Sequence, residues 1–232
     1  MCIRDSSLKT IYLAALTAVF AVSFFAFVAF DLYSQQRQTE QAMLEEARTF
    51  AREMDAVWQF MDNSQSIINN SSSGGYEFKG LHCSVVGKSV GRLFSAGSDY
   101  HIRYTNFDPR SEQDIPDEFE TKALEAFNAD RSVTEYYGVA PFDGEDRFRY
   151  LQALEVDDSC LECHGEPVGE LDITDHAKEG WTLESVGGAI SIVIPLDQQQ
   201  AAMRGNVIRD MAYFLLITVF IGLVILVVTT VF

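Results

Sequence analysis

Near its C-terminal end the chain reads Gly188-Ala189-Ile190-Ser191-Ile192-Val193-Ile194-Pro195. This run is bounded by glycine and proline and is rich in β-branched residues, which is typical of a strand. Residues 133–139 and 148–156 have the same character, and residues 100–107 alternate in polarity as a half-buried strand does. The sequence therefore predicts several short strands.

Helical patterns separate these strands. Pro116 opens a helix that should run to Asn128, with acidic residues in its first turn. A second helix is predicted over residues 79–96, and its apolar face is formed by Cys83, Val86, Val90 and Leu93. We therefore predict an α+β domain over residues 33–197, built on a small antiparallel sheet with flanking helices.

Two apolar stretches lie outside this domain, Ile11–Phe30 and Met211–Phe232. Each has the roughly 20 apolar residues that cross a bilayer core about 30 Å thick. We predict membrane helices over 11–32 and 211–232, a connecting helix over 198–210 and a cytoplasmic N-terminus over 1–10, of which the first six residues need not be native. An uncleaved anchor is favoured over a signal peptide because the first apolar run is too long and no cleavage site follows it. Since the sequence ends within apolar residues, we expect a cytoplasmic portion beyond residue 232.

The charge balance is strongly acidic. The chain has 34 acidic and 17 basic residues, a formal net charge of −17, and no basic run suited to phosphate. This composition argues against a nucleic-acid partner. The sequence has neither a nucleophile elbow nor a phosphate-binding glycine loop, so we do not expect this chain to be an enzyme.

No proline or glycine interrupts residues 32–70, so the first membrane helix should continue outward as one long helix. Apolar residues recur in it at alternating steps of four and three, namely Met43, Ala47, Phe50, Met54, Val57 and Met61. This is the repeat of a coiled-coil-like seam. Two interpretations stay open: the seam joins two copies as a homodimer, or it packs on its own domain.

The strongest local motif is Cys160-Leu161-Glu162-Cys163-His164. Two thiols three positions apart, followed at once by histidine, have the spacing of a c-type haem attachment site. Each thiol adds to one haem vinyl group, and the adjacent imidazole becomes an axial ligand of the iron. We predict one covalent haem c, attached at Cys160 and Cys163 and ligated by His164.

Three other uses of the motif remain open. Structural zinc usually takes four ligands, and the chain has no second cysteine pair. A thioredoxin-like pair belongs at a helix N-terminus, whereas this motif is expected to open a loop rich in glycine and proline. A simple disulfide is the third alternative.

Cys83 is the one cysteine of the predicted extracytoplasmic segment that lies outside the motif. It is either the sixth ligand of the iron or a small buried core residue, and the residues alone do not decide between them. The rival sixth ligands are His82, His101 and His176. Arg103, Arg149 and Lys178 are candidate partners for haem propionates, while Trp181 and Tyr150 either contact the macrocycle or fill the core. Of these we select Arg149 and Trp181 as cofactor-binding residues.

Five segments of the chain, taken together, are similar to those of a known family. The segments that carry this similarity are Gly80–Cys83, Tyr104–Arg110, Pro116–Glu120, Arg149-Tyr150 and Cys160–Pro167. Together they resemble the bacterial family of c-type haem, PAS-like sensor domains first characterised in a cyanobacterium. The resemblance covers about residues 32–196 and departs from the family at Ser111-Glu112, where Asn-Pro is usual.

This resemblance implies a PAS-like sheet, one haem c, His164 as proximal ligand and Cys83 as sixth ligand. It further implies a periplasmic domain between two spans of the bacterial inner membrane, in contact with lipid and followed by a cytoplasmic output module such as a kinase, cyclase or chemotaxis module. The expected function is to sense redox state or a diatomic gas. The alternative is a membrane-tethered cytochrome that carries electrons to a redox partner, for which an acidic surface would suit a basic protein.

Overall fold

The computed structural model describes residues 3–231. Met1 and Cys2 of the predicted N-terminal segment and Phe232 of the second predicted span lie outside the described residues. The chain divides into two compact units, one made of the two terminal segments up to Ala42 and from Asp197, and one spanning Met43–Leu196. The elements are α1 (Ile3–Ile68), α2 (Cys83–Ala96), β1 (His101–Thr105), a 3₁₀ turn (Glu112–Asp114), α3 (Glu118–Ala129), β2 (Glu135–Phe142), β3 (Glu145–Glu155), α4 (Asp158–His164), β4 (Val186–Ile194) and α5 (Asp197–Val231).

The Met43–Leu196 unit is built on a four-stranded antiparallel sheet in the order β1-β4-β3-β2. The α+β prediction is thereby confirmed, although β2 and β3 extend further than predicted. They meet in a two-residue turn, Asp143-Gly144, where both residues have positive φ. Such Asp-Gly turns match the twist of an antiparallel pair, so this dipeptide was a hairpin signal that the sequence interpretation overlooked.

Alternation along the strands gives the sheet two buried faces. One face packs Tyr104, Tyr150 and Ile192 against α1. The other packs Leu151 and Ala189 against α3. Strand β4, one of the two central strands, is therefore buried on both sides, which explains why its sequence is a nearly continuous apolar run.

The predicted seam of α1 lies in this core. Met43, Ala47 and Met54 are each no more than 5% exposed and belong to the same cluster as the sheet residues. The interpretation that the stripe packs on its own domain is thus confirmed. These residues no longer argue for a homodimer, which stays a prediction.

Gly188 is required where β4 meets β1. Its φ is +126°, and a Cβ at this position would lie 2.4 Å from the carbonyl oxygen of Thr105. The ladder between β3 and β4 also shifts register beside it, between Leu154 and Glu155. Only glycine permits this approach of the two strands.

The unit of terminal segments is helical. Two of its stretches, within Ala14–Ile68 and Gln199–Val228, are long and apolar enough to cross a membrane by length and composition. Phe27 and Phe214 stack with ring centroids 4.8 Å apart, so the apolar parts of α1 and α5 contact each other. The predicted connecting helix and second span form one continuous helix, α5.

Candidate functional site

The cysteine motif lies on the short helix α4, which the sequence interpretation did not predict, and the predicted loop with glycine and proline follows it from Gly165. Asp157 caps this helix, accepting hydrogen bonds from the backbone N–H of Ser159 at 2.9 Å and of Cys160 at 3.2 Å. The helix ends at His164, and at the following residue, Gly165, a Cβ would lie 2.6 Å from the carbonyl oxygen of Leu161. Residues three and four apart on a helix share a face, so Cys160 lies on the same side as Cys163 and His164.

Burial disfavours the thiolate form of both cysteines of the motif. Burial raises the pKa of Cys160 to about 11, and burial also raises the pKa of Cys163. A dithiol that exchanges disulfides needs the opposite, a thiol pKa below its ordinary value. The helical setting removes one argument against a redox pair, and the raised pKa values supply another.

His164 is held by two contacts from one later segment. Its Nδ1 lies 2.8 Å from Oε2 of Glu179, and its carbonyl oxygen accepts a 2.7 Å hydrogen bond from the N–H of Trp181. Burial lowers the pKa of His164, which favours the neutral imidazole that binds metals. With Nδ1 paired to a carboxylate, Nε2 is the nitrogen suited to an iron ligand.

Arg110 organises the surroundings of this histidine. Its Nε and Nη2 donate to the two carboxylate oxygens of Glu179 at 2.6 and 2.9 Å, and its Nη1 donates to Asp172 at 2.6 Å. Nη2 also donates to the carbonyl oxygen of Cys163 at 2.9 Å. The guanidinium therefore joins the motif to two carboxylates of the segment that follows it.

The sequence interpretation did not single out Arg110, Asp172 or Glu179 as site residues. Arg110 stands 53 residues before Cys163 and 69 residues before Glu179. No periodicity or spacing links positions so far apart. The one available signal for a role of Arg110 was its position at the end of Tyr104–Arg110, a segment that carries the family resemblance.

The start of α2 lies near the motif. Burial raises the pKa of Cys83 to about 12, and Asp62 and Cys160 add to this rise. Burial lowers the pKa of the neighbouring His82, and Lys88, Arg110 and His164 contribute to the lowering. Two of the four candidate sixth ligands, Cys83 and His82, are therefore within electrostatic range of the motif. The helix begins at Cys83, four residues later than predicted, because residues 79–82 are extended or bent.

The structure does not bring Arg149 to the motif, contrary to its selection as a cofactor-binding residue. Arg149 is 1% exposed, its Nη2 lies 2.7 Å from Asp117, and its guanidinium lies over the rings of Phe119 and Phe142. It points to the α3 face because strand positions alternate, and its neighbour Tyr150 points into the core on the other face.

The remaining sequence candidates have other partners. Arg103 pairs with Glu120, and Lys178 pairs with Glu170 at 3.1 Å. His101 is exposed against Phe142, and His176 is exposed beside Thr174. Trp181 is the selected residue that does reach the motif, since it stacks on His164.

The donor set at α4 fits a covalent haem c. Neutral thiols on one helical face are the groups that add to vinyl carbons, and an imidazole supported by a carboxylate is a well-oriented axial ligand. Within residues 3–231 no group of three or more His, Cys, Asp or Glu side chains is arranged to hold a metal ion. Haem iron takes at most two protein ligands, whereas structural zinc takes four.

Comparison with known proteins agrees with the motif pattern. A family profile described as Tll0287-like matches residues 36–195. The chain is also similar to the crystal structure of the cyanobacterial haem protein Tll0287, with 18% sequence identity and a TM-score of 0.49 over 66% of this chain and 95% of that chain. No curated protein matches it. The family match covers more than half of the sequence, and the chain belongs to the Tll0287-like family.

Proposed function

We propose that this chain is the haem c-binding, PAS-like sensor domain of a two-pass receptor in the bacterial inner membrane. The observation that carries the proposal is the arrangement on α4, where Cys160 and Cys163 share a face and His164 is held through Nδ1 by Glu179. A chance cysteine pair or a disulfide would not need a histidine held in this way. Family membership supports the same assignment.

Each residue of the site has a defined role in this proposal. Cys160 and Cys163 attach one haem through thioether bonds, and His164 is the proximal ligand through Nε2. Cys83 is the sixth ligand, and Trp181 and Glu179 orient the imidazole. A bound haem supplies an iron that exchanges one electron or takes up a diatomic ligand.

The packing of α2 favours a sensor over a passive carrier. Cys83 is the first residue of α2. A Cβ at Gly91 would lie 2.8 Å from the carbonyl oxygen of Ile102, and one at Gly87 would lie 3.2 Å from Cε3 of Trp58 in α1. Helix α2 thus lies in very close contact with both β1 and α1. Releasing Cys83 from the iron would loosen the start of α2 and change this contact, which supplies the two-state element that signalling needs.

The membrane assignment rests on the two apolar helices. Of the most apolar 18-residue stretch in each helix, 6% is buried in α1 and 0% in α5 among the described residues. These exposed apolar side chains need a nonpolar environment. With both ends of the domain leading into spans, the acidic domain lies on one side of the membrane. Covalent haem suits the periplasmic side. The proposed partner is a cytoplasmic output module, and we propose no enzymatic activity for this chain itself.

The first experiment is an absorption spectrum of the full chain in detergent, produced with haem-maturation machinery. The wild type, Cys83→Ala and His82→Ala should all retain haem under denaturing conditions. We expect the oxidised spectrum to show thiolate ligation that Cys83→Ala removes and His82→Ala keeps. A chain without covalent haem would refute the proposed function, and loss of the sixth ligand only in His82→Ala would reassign that ligand to His82.

A second measurement separates a sensor from an electron carrier. Amide hydrogen exchange of residues 83–96 should be faster in the state in which Cys83 is released than in the state in which it is bound. The backbone amides of α3 serve as the internal control, because α3 packs on the opposite face of the sheet. Equal exchange of α2 in the oxidised and reduced states would favour the tethered electron carrier, whose acidic surface suits a basic partner.

A further inference from the structure

Glu179 contacts the imidazole of His164, a contact that thioether attachment of a cofactor through Cys160 and Cys163 does not require. Its Oε2 accepts from Arg110 Nη2 at 2.9 Å and lies 2.8 Å from His164 Nδ1. Its Oε1 accepts from Arg110 Nε at 2.6 Å. The carboxylate is therefore fixed by a two-point contact with one guanidinium while one of its oxygens faces the imidazole.

We infer that Glu179 is a positioning residue that strengthens His164 as an electron donor to the iron and thereby sets the reduction potential of the site. The inference rests on the proposed function, because it assigns His164 as the proximal ligand. A carboxylate that accepts the Nδ1 proton in a hydrogen bond raises the basicity of Nε2 and fixes the plane of the ring. A more basic ligand stabilises the ferric form over the ferrous form.

The setting strengthens this contact. The side chains of His164, Glu179 and Arg110 are between 22% and 25% exposed, so little water screens their charges. Arg110 cannot turn away, because it also donates to Asp172 and to the carbonyl oxygen of Cys163. Asp172 is itself fixed, since its Oδ1 accepts from the N–H and the hydroxyl of Thr174, both at 2.7 Å.

The same segment contains a matched control. Glu170 carries the same charge, but its side chain is 56% exposed and pairs with Lys178 at 3.1 Å. Removing its charge alters the overall charge as much as Glu179→Gln does. It leaves the contact between Glu179 and His164 untouched.

The test is a one-electron potentiometric titration of the full haem-loaded chain in detergent, with dithionite as reductant and ferricyanide as oxidant. Glu179→Gln keeps the size of the side chain and removes its charge. We expect the ratio of oxidised to reduced haem at a fixed potential to fall about tenfold, a rise of about 59 mV for a one-electron couple. Glu170→Gln should change this ratio less than about threefold, because exposed charges are screened, and Glu179→Asp should return the ratio toward that of the wild type.

Equal shifts in Glu179→Gln and Glu170→Gln would overturn the inference, as would an unchanged potential in Glu179→Gln. If Glu179→Gln fails to fold, Glu179→Asp decides, since it keeps the charge but shortens the side chain that reaches Nδ1 of His164. Its ratio should then lie between that of the wild type and a tenfold fall, and further from the wild type than that of Glu170→Gln. A change no larger than that of Glu170→Gln would overturn the inference. Failure of the proposed function looks different: the wild type itself would then carry no haem to titrate.

Discussion

The indole of Trp181 lies nearly parallel to the imidazole of His164, with ring centroids 4.1 Å apart and an interplanar angle of 12°. The N–H of Trp181 also donates to the carbonyl oxygen of His164 at 2.7 Å. One residue thus contacts both the ring and the backbone at the end of α4. This pairing fixes the orientation of the imidazole without any contribution from a cofactor.

Replacing Trp181 with alanine should therefore loosen the ring and destabilise the domain. We expect the free energy of unfolding to fall by about 1–2 kcal/mol, from lost stacking and lost apolar contact on a half-exposed side chain. Urea unfolding of the full chain in detergent measures it. Trp181→Phe should retain most of the stability, and equal losses in the two variants would show that stacking is not the cause.

Arg110 should be among the most important polar residues for stability. Arg110→Gln leaves the fully buried side chain of Asp172 without its cation and removes two donors from Glu179. We expect a loss of about 2–4 kcal/mol, somewhat less than the roughly 3–5 kcal/mol of a fully buried pair because Arg110 is 22% exposed. The control is Arg92→Gln, because Arg92 is exposed and donates only to Gln113 and Lys88 in the described structure; its cost should stay within about 0.5 kcal/mol. Similar costs for the two variants would contradict the role given to Arg110.

Glu135 should make stability depend on pH in the acid range. Hydrogen bonding from Arg48 lowers the pKa of Glu135 below its ordinary value, and the hydroxyl of Tyr150 adds to the effect. Because the folded-state pKa lies below the unfolded one, the contribution is present above about pH 4.3 and is lost as the pH falls through the lower folded value.

We therefore expect the stability difference between the wild type and Glu135→Gln to be largest near neutral pH and to shrink as the pH falls below about 4.3. Urea unfolding across this range measures the difference. In an Arg48→Gln background the difference should vary less with pH. A difference that grows toward acid would show that the sign assigned to the pKa shift is wrong.

Gly188→Ala should destabilise the sheet at the junction of β1 and β4. The new Cβ would lie 2.4 Å from the carbonyl oxygen of Thr105 in a backbone conformation with φ +126°, and we expect a loss of about 2–3 kcal/mol. Thermal unfolding compares it with Gly138→Ala, where the nearest atom, Cε2 of Phe119, is 4.0 Å away. That control should be neutral within about 0.5 kcal/mol, and a neutral Gly188→Ala would refute the close approach.

Local signals predicted the strands and the long helix well, because each depends on neighbouring residues. The β-branched run at 188–195 is strand β4, and the absence of proline and glycine from 32–70 matches the uninterrupted α1. The errors were also local. The capping role of Asp157 was not recognised, so the short helix α4 was not predicted, and the turn signal of Asp143-Gly144 was overlooked.

Arg149 shows where a pattern gives the residue type but not its partners. A basic residue near the motif in sequence was a reasonable candidate for a propionate. Its place in β3 turned it toward Asp117 and Phe119 instead. The direction of a strand side chain depends on the register of the strand, and a shift of one residue reverses it.

By itself, the sequence determined the α+β class and the two apolar helices, and it predicted a haem-attachment role for Cys160, Cys163 and His164, because periodicity and close spacing are properties of short segments. Only the tertiary structure decided that Arg110 and Glu179 complete the site, since 69 residues separate them and their contact depends on the path of the chain between β1 and β4. It also decided that the seam of α1 is core. A repeat of apolar residues specifies that a face must be buried, but the protein surface that buries it is specified by the rest of the fold.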